Sequence, residues 1–281
     1  MRILITGANG MLGQDVHTAA RGAGHEPISL ARAQLDITDV DAVSRAVTDA
    51  QPDAVINCAA WTKVDAAEEH EHQATVVNGA GAGHVAHAAA SVGAWTIHVS
   101  SDYVFDGSKR LPYLESDATG PLSAYGRSKL AGELAVAAQA PRAHTIVRSS
   151  WLFGAGGPCF PKTMLRLAAE RDELNVVDDQ IGCPTFTGHL ASALVGLAGS
   201  RPLGVLHAAA AEQCSWYEFA VATIAAGGLD CTVHPIDTSR YPLPAPRPAF
   251  SVMRSRRGAP ELPSWRDGLR NFISEIALVR T

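Results

Sequence analysis

Arg2-Ile-Leu-Ile-Thr6 runs straight into Gly7-Ala-Asn-Gly10-Met-Leu-Gly13, and an apolar, helix-compatible segment follows to about Ala23. Strand, glycine turn, helix is the context in which a dinucleotide fingerprint carries meaning. Gly7 lets the chain turn off the strand, Gly10 lets the backbone come close to a pyrophosphate, and Gly13 lets helix and strand pack tightly. The free N–H groups and dipole of the helix start then hold the anion. The spacing is GxxGxxG rather than GxGxxG, and a glycine turn has a purely structural use as well. Its place directly after the first strand favours binding.

Downstream, the alternation continues. Pro27-Ile-Ser-Leu30 reads as the second strand and ends at Ala31-Arg32. A site built for NAD carries an acidic residue at this tip, bonded to the ribose hydroxyls. A guanidinium suits a 2′-phosphate instead. NADPH is therefore the expected cofactor and NADH the alternative, with Arg32 as a solvated loop charge the competing reading. Asp36 either binds the adenine amino group or sits in a turn. Thr38-Asp-Val-Asp41 predicts a capping box for a helix ending near Ala50. The third strand, Asp53 to Asn57, leads into Cys58-Ala59-Ala60-Trp61-Thr62, whose small residues leave room for a ligand at the sheet edge. Trp61 flanks either cofactor or substrate. An Ala-rich helix is expected from Asn78-Gly79, then strands at Trp95–Ser100 and His144–Arg148. This pattern predicts an α/β fold with a doubly wound parallel sheet.

Between the last two strands lies Ser100-Ser101-Asp102, and later Tyr125-Gly-Arg-Ser-Lys129. Tyr125 and Lys129, four apart, share one face of a helix that Pro121 is expected to start. A free phenol titrates near pH 10, and a nearby ammonium favours the phenolate. With a hydroxyl at the end of the preceding strand, the set forms a proton-transfer device for a carbon–oxygen centre. The bland reading is Lys lying over an aromatic ring.

After Trp151 the elements shorten and loops multiply. Helices are expected at 160–169, at 187–198 with Thr187 as its cap, and from a Ser215–Glu218 capping box to Ala226. Short strands are expected at 174–177 and 205–207. Pro242, Pro244, Pro246 and Pro248 predict a stiff extended segment around Arg247. Ser264 to Asp267 caps the last helix. The expected division is a dinucleotide-binding domain over 1–150, with 185–207 returning to it, and a smaller interleaved substrate lobe over 151–184 and 208–281.

With 281 residues and 47% of them hydrophobic, the chain can build a full core. A net charge of −5 argues against nucleic acid as a partner. No run approaches the ~18 apolar residues of a membrane span, and Met1-Arg-Ile-Leu-Ile lacks a signal-peptide layout. Cys58, Cys159, Cys183, Cys214 and Cys231 are scattered without CxxC, as in a reduced cytoplasmic protein. The run Glu68-Glu69-His70-Glu71-His72 has no metal-ligand spacing and reads as a solvated helix face; His84 and His87 read as structural.

The chain resembles the extended short-chain dehydrogenase/reductases, and within them the dTDP-4-dehydrorhamnose reductase family. Eight blocks carry the resemblance in order: Thr6 to Gly13, Leu35 to Asp39, Ala60 to Asp65, His98 to Gly107, Tyr125 to Glu133, Arg148 to Trp151, Asp178 to Thr185, and Arg247-Pro248. The resemblance implies reduction of the C4 ketone of a dTDP-4-keto-6-deoxyhexose. Its catalytic set would be Ser101, Tyr125 and Lys129. Gly7, Gly10, Met11, Leu12, Gly13, Arg32, Asp36, Ile37, Ala59, Ala60 and Thr62, with Tyr125 and Lys129, would hold the cofactor. Ser101, Asp102, Trp151 and Arg247 would contact the dTDP-sugar. It leaves a homodimer open.

Departures from the family pattern are few. Ser101 stands where most members have Thr, and Trp61 where a smaller ring is common. Some members bind a metal at a dimer contact, but Phe186-Thr187-Gly188 lacks the acidic residue expected after Pro184-Thr185, so no metal is carried over. Three rivals remain: a reductase for another deoxysugar, a non-catalytic NADP-binding regulatory subunit, and a sugar-nucleotide epimerase or dehydratase of the same superfamily. A dehydratase would need an acid pair where Asp102-Tyr103 stands. No GxSxG elbow supports a serine hydrolase.

Overall fold

A computed structural model describes residues 1–278. Strand and helix alternate as β1 (Arg2–Thr6), α1 (Met11–Gly22), β2 (Glu26–Leu30), α2 (Val40–Ala50), β3 (Ala54–Asn57), α3 (Ala82–Ser91), β4 (Trp95–Ser101), α4 (Ala124–Gln139) and β5 (His144–Ser149). The second half holds α5 (Phe160–Glu170), β6 (Glu173–Val177), α6 (Thr187–Ser200), β7 (Gly204–His207), α7 (Trp216–Ala226), β8 (Thr232–Ile236) and α8 (Trp265–Leu278). Six strands form one sheet in the order β7-β5-β4-β3-β1-β2, all parallel. Successive side chains of a strand point to opposite faces. Ile3 and Ile5 therefore pack with Val16 of α1 and Leu190 and Leu194 of α6. Leu4 packs on the other face with Val43 and Val47 of α2 and Val85 of α3. Every residue of β3 and β5 is buried, as strands covered on both faces require. This is the Rossmann-type doubly wound sheet.

Beyond the sheet, β6 pairs in parallel with β8, and α5 and α7 cover them through Met164, Leu174, Ala220 and Ile224. Beside this lies an aromatic core of Phe153, Phe186, Phe219, Trp265 and Phe272. Burial of each such side chain stabilises by about 1.5–3 kcal/mol.

Several local expectations are corrected. α2 is capped by Asp39, whose carboxylate accepts from Ala42 N, rather than by Thr38. Ser123, not Pro121, begins α4, by accepting from Gly126 N at 3.1 Å. Thr187 is the first residue of α6 rather than its cap, and its hydroxyl donates to Phe153 O. The Ala-rich helix begins before Asn78: α-turns at Glu71–Thr75 pass through a π-helical segment, Val76–Gly81, into α3. Segment 68–72 is more than a solvated face. Glu68 accepts from Ala124 N at 2.8 Å, and Glu71 takes the Arg127 guanidinium with both oxygens. The capping box at Ser215 and Glu218 is present. All five cysteines are free thiols. No helix among the described residues is long and apolar enough to cross a membrane.

Candidate active site

β1 lies between β2 and β3, so the connection leaving β1 towards β2 and the one leaving β3 towards β4 run in opposite directions and open a crevice at the C-terminal ends of β1 and β3. Gly7 turns the chain there with φ +66°, and a Cβ would stand 2.6 Å from Ala59 N, so the exits of β1 and β3 touch backbone to backbone. Gly13 does the same for helix and strand, since its Cβ would meet Gly7 O at 2.4 Å. Gly10 is exposed and caps α1 without a side-chain bond, so the first N–H groups of α1 keep no side-chain partner. Such an end suits a pyrophosphate. Leu12 is buried, while Met11 packs against the loop at Gly154 and Gly157. Gln14 ties that loop down through Gly156 O at 3.0 Å; this loop's place over the helix start was not legible in the sequence.

Around the outer rim, Arg32 is exposed and among the described residues reaches Asp36 alone, at 3.9 Å. Asp36 accepts from the N–H and hydroxyl of Thr38, and the backbone bond foremost holds its carboxyl below the usual range. Ile37 is core, filling the space against Gly81, so its backbone alone is available to a ligand. Ala59 and Ala60 are half-buried and Thr62 is exposed.

Ser101 ends β4, buried. Its hydroxyl donates to Asp102 Oδ1 at 2.9 Å and accepts from Tyr103 N. Lys129 Nζ donates to Val99 O at 2.7 Å, and burial pushes its pKa down to about 8. The expected effect of lysine on the phenol is overruled. Burial pushes Tyr125 up to about 12, with Asp102 reinforcing and the Ser101 hydroxyl opposing. The phenol is therefore protonated near neutrality, as a proton donor must be, though burial also makes it a weaker acid. The Tyr103 ring stands edge-on to Tyr125, centroids 5.4 Å apart. Asp102 is buried, burial lifts it to about 6, and its Oδ2 has no hydrogen-bond partner.

A polar frame holds this set. Asn57 takes the Thr6 hydroxyl at 2.6 Å and reaches His98 Nδ1 at 3.2 Å. Asn78, on the π-helical turn, bonds the N–H and C=O of Trp61 and donates to Ser128, whose hydroxyl donates to Tyr125 O. Ser100 donates to Glu133, which forms a bidentate pair with Arg148, both 5% exposed. α4 comes so close that a Cβ on Gly132 would lie 2.2 Å from Asn78 O.

The opposite wall carries Trp151, two residues past Ser149, the register partner of Ser101. Trp151 has φ +48°, a conformation that costs a bulky residue about 1–3 kcal/mol. It stacks on Trp216 with centroids 3.5 Å apart and planes at 4°. Arg247 is not free in the crevice. It pairs bidentately with Asp65 at 2.7 and 2.8 Å, which holds the Asp65 carboxyl below its usual range.

The family profile described as RmlD substrate binding domain matches residues 1–278. The chain belongs to the dTDP-4-dehydrorhamnose reductase family. A dTDP-4-dehydrorhamnose reductase of Mycolicibacterium smegmatis is 45% identical over 98% of this chain and 86% of its own. A dTDP-4-keto-6-deoxy-D-glucose reductase of Streptomyces niveus is 42% identical over 90% of this chain and 88% of its own. The structure of a dTDP-4-dehydrorhamnose reductase from Bacillus anthracis in complex with NADP superposes with TM-score 0.94 at 37% identity, covering 98% of this chain and 99% of that one. For a dTDP-4-dehydrorhamnose reductase family chain, the residues missed by sequence reasoning are Asn57, Asn78, Glu133 and Arg148 as a frame, Trp216 as the partner of Trp151, and Asp65 as the partner of Arg247. A charged residue directly after the apolar pair Ile146-Val147, as Arg148 is, was the one available signal.

Proposed function

We propose that this protein reduces the C4 ketone of a dTDP-4-keto-6-deoxyhexose with NADPH. The reading rests on Ser101 at the C-terminal end of β4 with Tyr125 and Lys129 of α4 brought against it, Lys129 on Val99 O and the Tyr125 phenol on the Ser101 hydroxyl, in a chain that matches the reductase family over residues 1–278. The cofactor fits the residues present: the open, uncapped start of α1 for the pyrophosphate, with Gly7, Gly10, Met11, Leu12 and Gly13; Ala59, Ala60 and Thr62 beyond β3; and Arg32, Asp36 and the Ile37 backbone at the rim. When bound, it supplies the hydride that C4 receives. Tyr125 gives its proton to the developing alkoxide, Ser101 offers its hydroxyl to the same oxygen, and Lys129 orients the nicotinamide ribose. Asp102, Trp151 and Arg247 serve the sugar nucleotide, Arg247 exchanging Asp65 for a diphosphate oxygen. Residues 1–150 and 185–207 form the nucleotide domain, 151–184 and 208–281 the substrate lobe, in a cytoplasmic enzyme.

The test is NADPH oxidation followed by absorbance, with enzymatically made dTDP-4-keto-6-deoxyglucose, with and without a 3,5-epimerase. Turnover that needs the epimerase is the expected result; no turnover in either mixture overturns the reading. A second reading, reduction of the unepimerised ketosugar, draws on the Streptomyces niveus relative and would show as turnover without the epimerase.

A further inference from the structure

The Trp151 indole is covered on both faces. Trp216 lies parallel to it at 3.5 Å on one side. On the other, a Cβ on Gly182 would stand 2.4 Å from Cε2 and 2.7 Å from both Cζ2 and Nε1, so the ring lies face-down on the Gly182 backbone. Trp216 is itself fixed, donating Nε1 to Gln180 Oε1 at 3.2 Å and packing at 4.6 Å against Phe160. Gly182 is fixed in turn, because Ile181 and Gly182 pair with Ser215 and Cys214, and Ser215 caps α7 just before Trp216. The same short ladder therefore supplies both jaws.

A ring with both faces covered cannot be a stacking platform for a sugar. What it retains is an edge. The Trp151 N–H has no hydrogen-bond partner among the described residues, yet it is not one of the sealed, unpartnered buried groups. An indole N–H is a donor only. We propose that Trp216 is a positioning residue for the sugar nucleotide: with Gly182 it clamps the Trp151 indole so that its N–H edge donates to an oxygen of the sugar. This rests on the proposed reductase reading. The positive φ at Trp151 fits it, since the backbone holds a costly conformation to place the ring in this slot.

The test compares steady-state kinetics with the dTDP-ketosugar, calorimetric titration of dTDP alone, and NADPH binding. Trp151→Phe keeps a ring and removes the N–H. It should lose about tenfold in kcat/KM, the worth of one hydrogen bond to substrate, and Trp151→Ala should lose little more. If Trp151→Phe keeps wild-type kcat/KM, the N–H edge is not used and the proposal falls. Trp216→Ala should show a similar loss, with Trp216→Phe recovering most of it because a second ring still fills the jaw. Affinity for NADPH and for dTDP alone should not change in any variant; an equal loss for dTDP alone would place the contact on the diphosphate and overturn sugar recognition. Gly182→Ala guards against a Trp216→Ala protein that fails to fold. Its methyl must push the indole aside, so kcat/KM should fall and the exciton signal of the stacked tryptophans in circular dichroism should change; a wild-type kcat/KM in Gly182→Ala overturns the clamp. Absence of ketosugar turnover in the wild type would instead be a failure of the reductase reading, visible before any variant is made.

Discussion

The two walls of the crevice are built from different materials. The wall that carries Ser101, Tyr125 and Lys129 is held by directional polar bonds: Asn57 to Thr6 and His98, Asn78 to the Trp61 backbone, Glu133 to Arg148. The facing wall is held by rings: Phe153, Phe160, Phe219, Phe272, and the Trp151–Trp216 stack. Hydrogen bonds fix orientation as well as distance, which a proton transfer requires. Ring packing is less directional and tolerates substitution of similar volume. On the proposed reading, the proton transfer falls on the wall fixed by directional bonds, while the ring wall holds Trp151 by packing.

The comparison can be broken from its chemical side first. Tyr125→Phe should reduce kcat by about a thousandfold, within the range for loss of a general acid, with NADPH affinity intact by fluorescence titration; near-normal turnover would remove the assigned donor. Arg148→Ala should destabilise by about 3–5 kcal/mol in denaturant unfolding, because it leaves Glu133 charged, buried and unpaired. A loss below about 1 kcal/mol, the scale of an exposed pair, would show that the polar wall does not depend on this bond.

Asp102 sharpens the contrast by costing stability. Its pKa is raised by burial to about 6 from 3.8, so the folded state binds more protons than the unfolded state between those values. The penalty is complete above pH 6 and fades as pH falls towards 3.8. Asp102→Asn should therefore stabilise by about 3 kcal/mol at neutral pH, with the gain shrinking towards pH 4 and activity lost throughout. Unfolding curves at several pH values read this directly, and a gain that grows on acidification would reverse the assignment. Arg32→Ala should weaken NADPH about tenfold and NADH hardly at all; equal effects on both would mark Arg32 as a plain surface charge. The smallest effect belongs to the ring wall. Phe219→Leu should cost about 1 kcal/mol and leave kcat unchanged, whereas a large fall in kcat would mean the two walls are not separable.

Much of the chemical wall was legible because its signals are local. The glycine turn follows its strand within a few residues, Tyr125 and Lys129 sit one turn apart, and Ser215 and Glu218 close a box over three positions. The frame behind it was not. Asn57 and His98 are 41 positions apart, and Arg247 and Asp65 are 182 apart; only the folded topology brings such pairs together. The direction of the Tyr125 shift was misread for a related reason. A lysine at helical spacing is visible in the sequence, but burial of the phenol is a property of the whole site, and it dominates. Thr38 and Asp39 compete for one cap at adjacent positions, and spacing alone does not choose between them.

The π-helical turn at Val76–Gly81 sets a phase difference within one rod. Ahead of it, Glu71 is timed to meet Arg127; on it, Asn78 is timed to meet Ser128; after it, Val85 is timed to meet the core beneath the sheet. A regular α-helix advances about 100° per residue and could not keep all three appointments. A π-helical turn holds one residue more than an α-turn, so forcing these residues to the regular pitch without removing one would swing Glu71 off Arg127 by about that same angle; this stretch of chain is a spacer that keeps one surplus residue in phase.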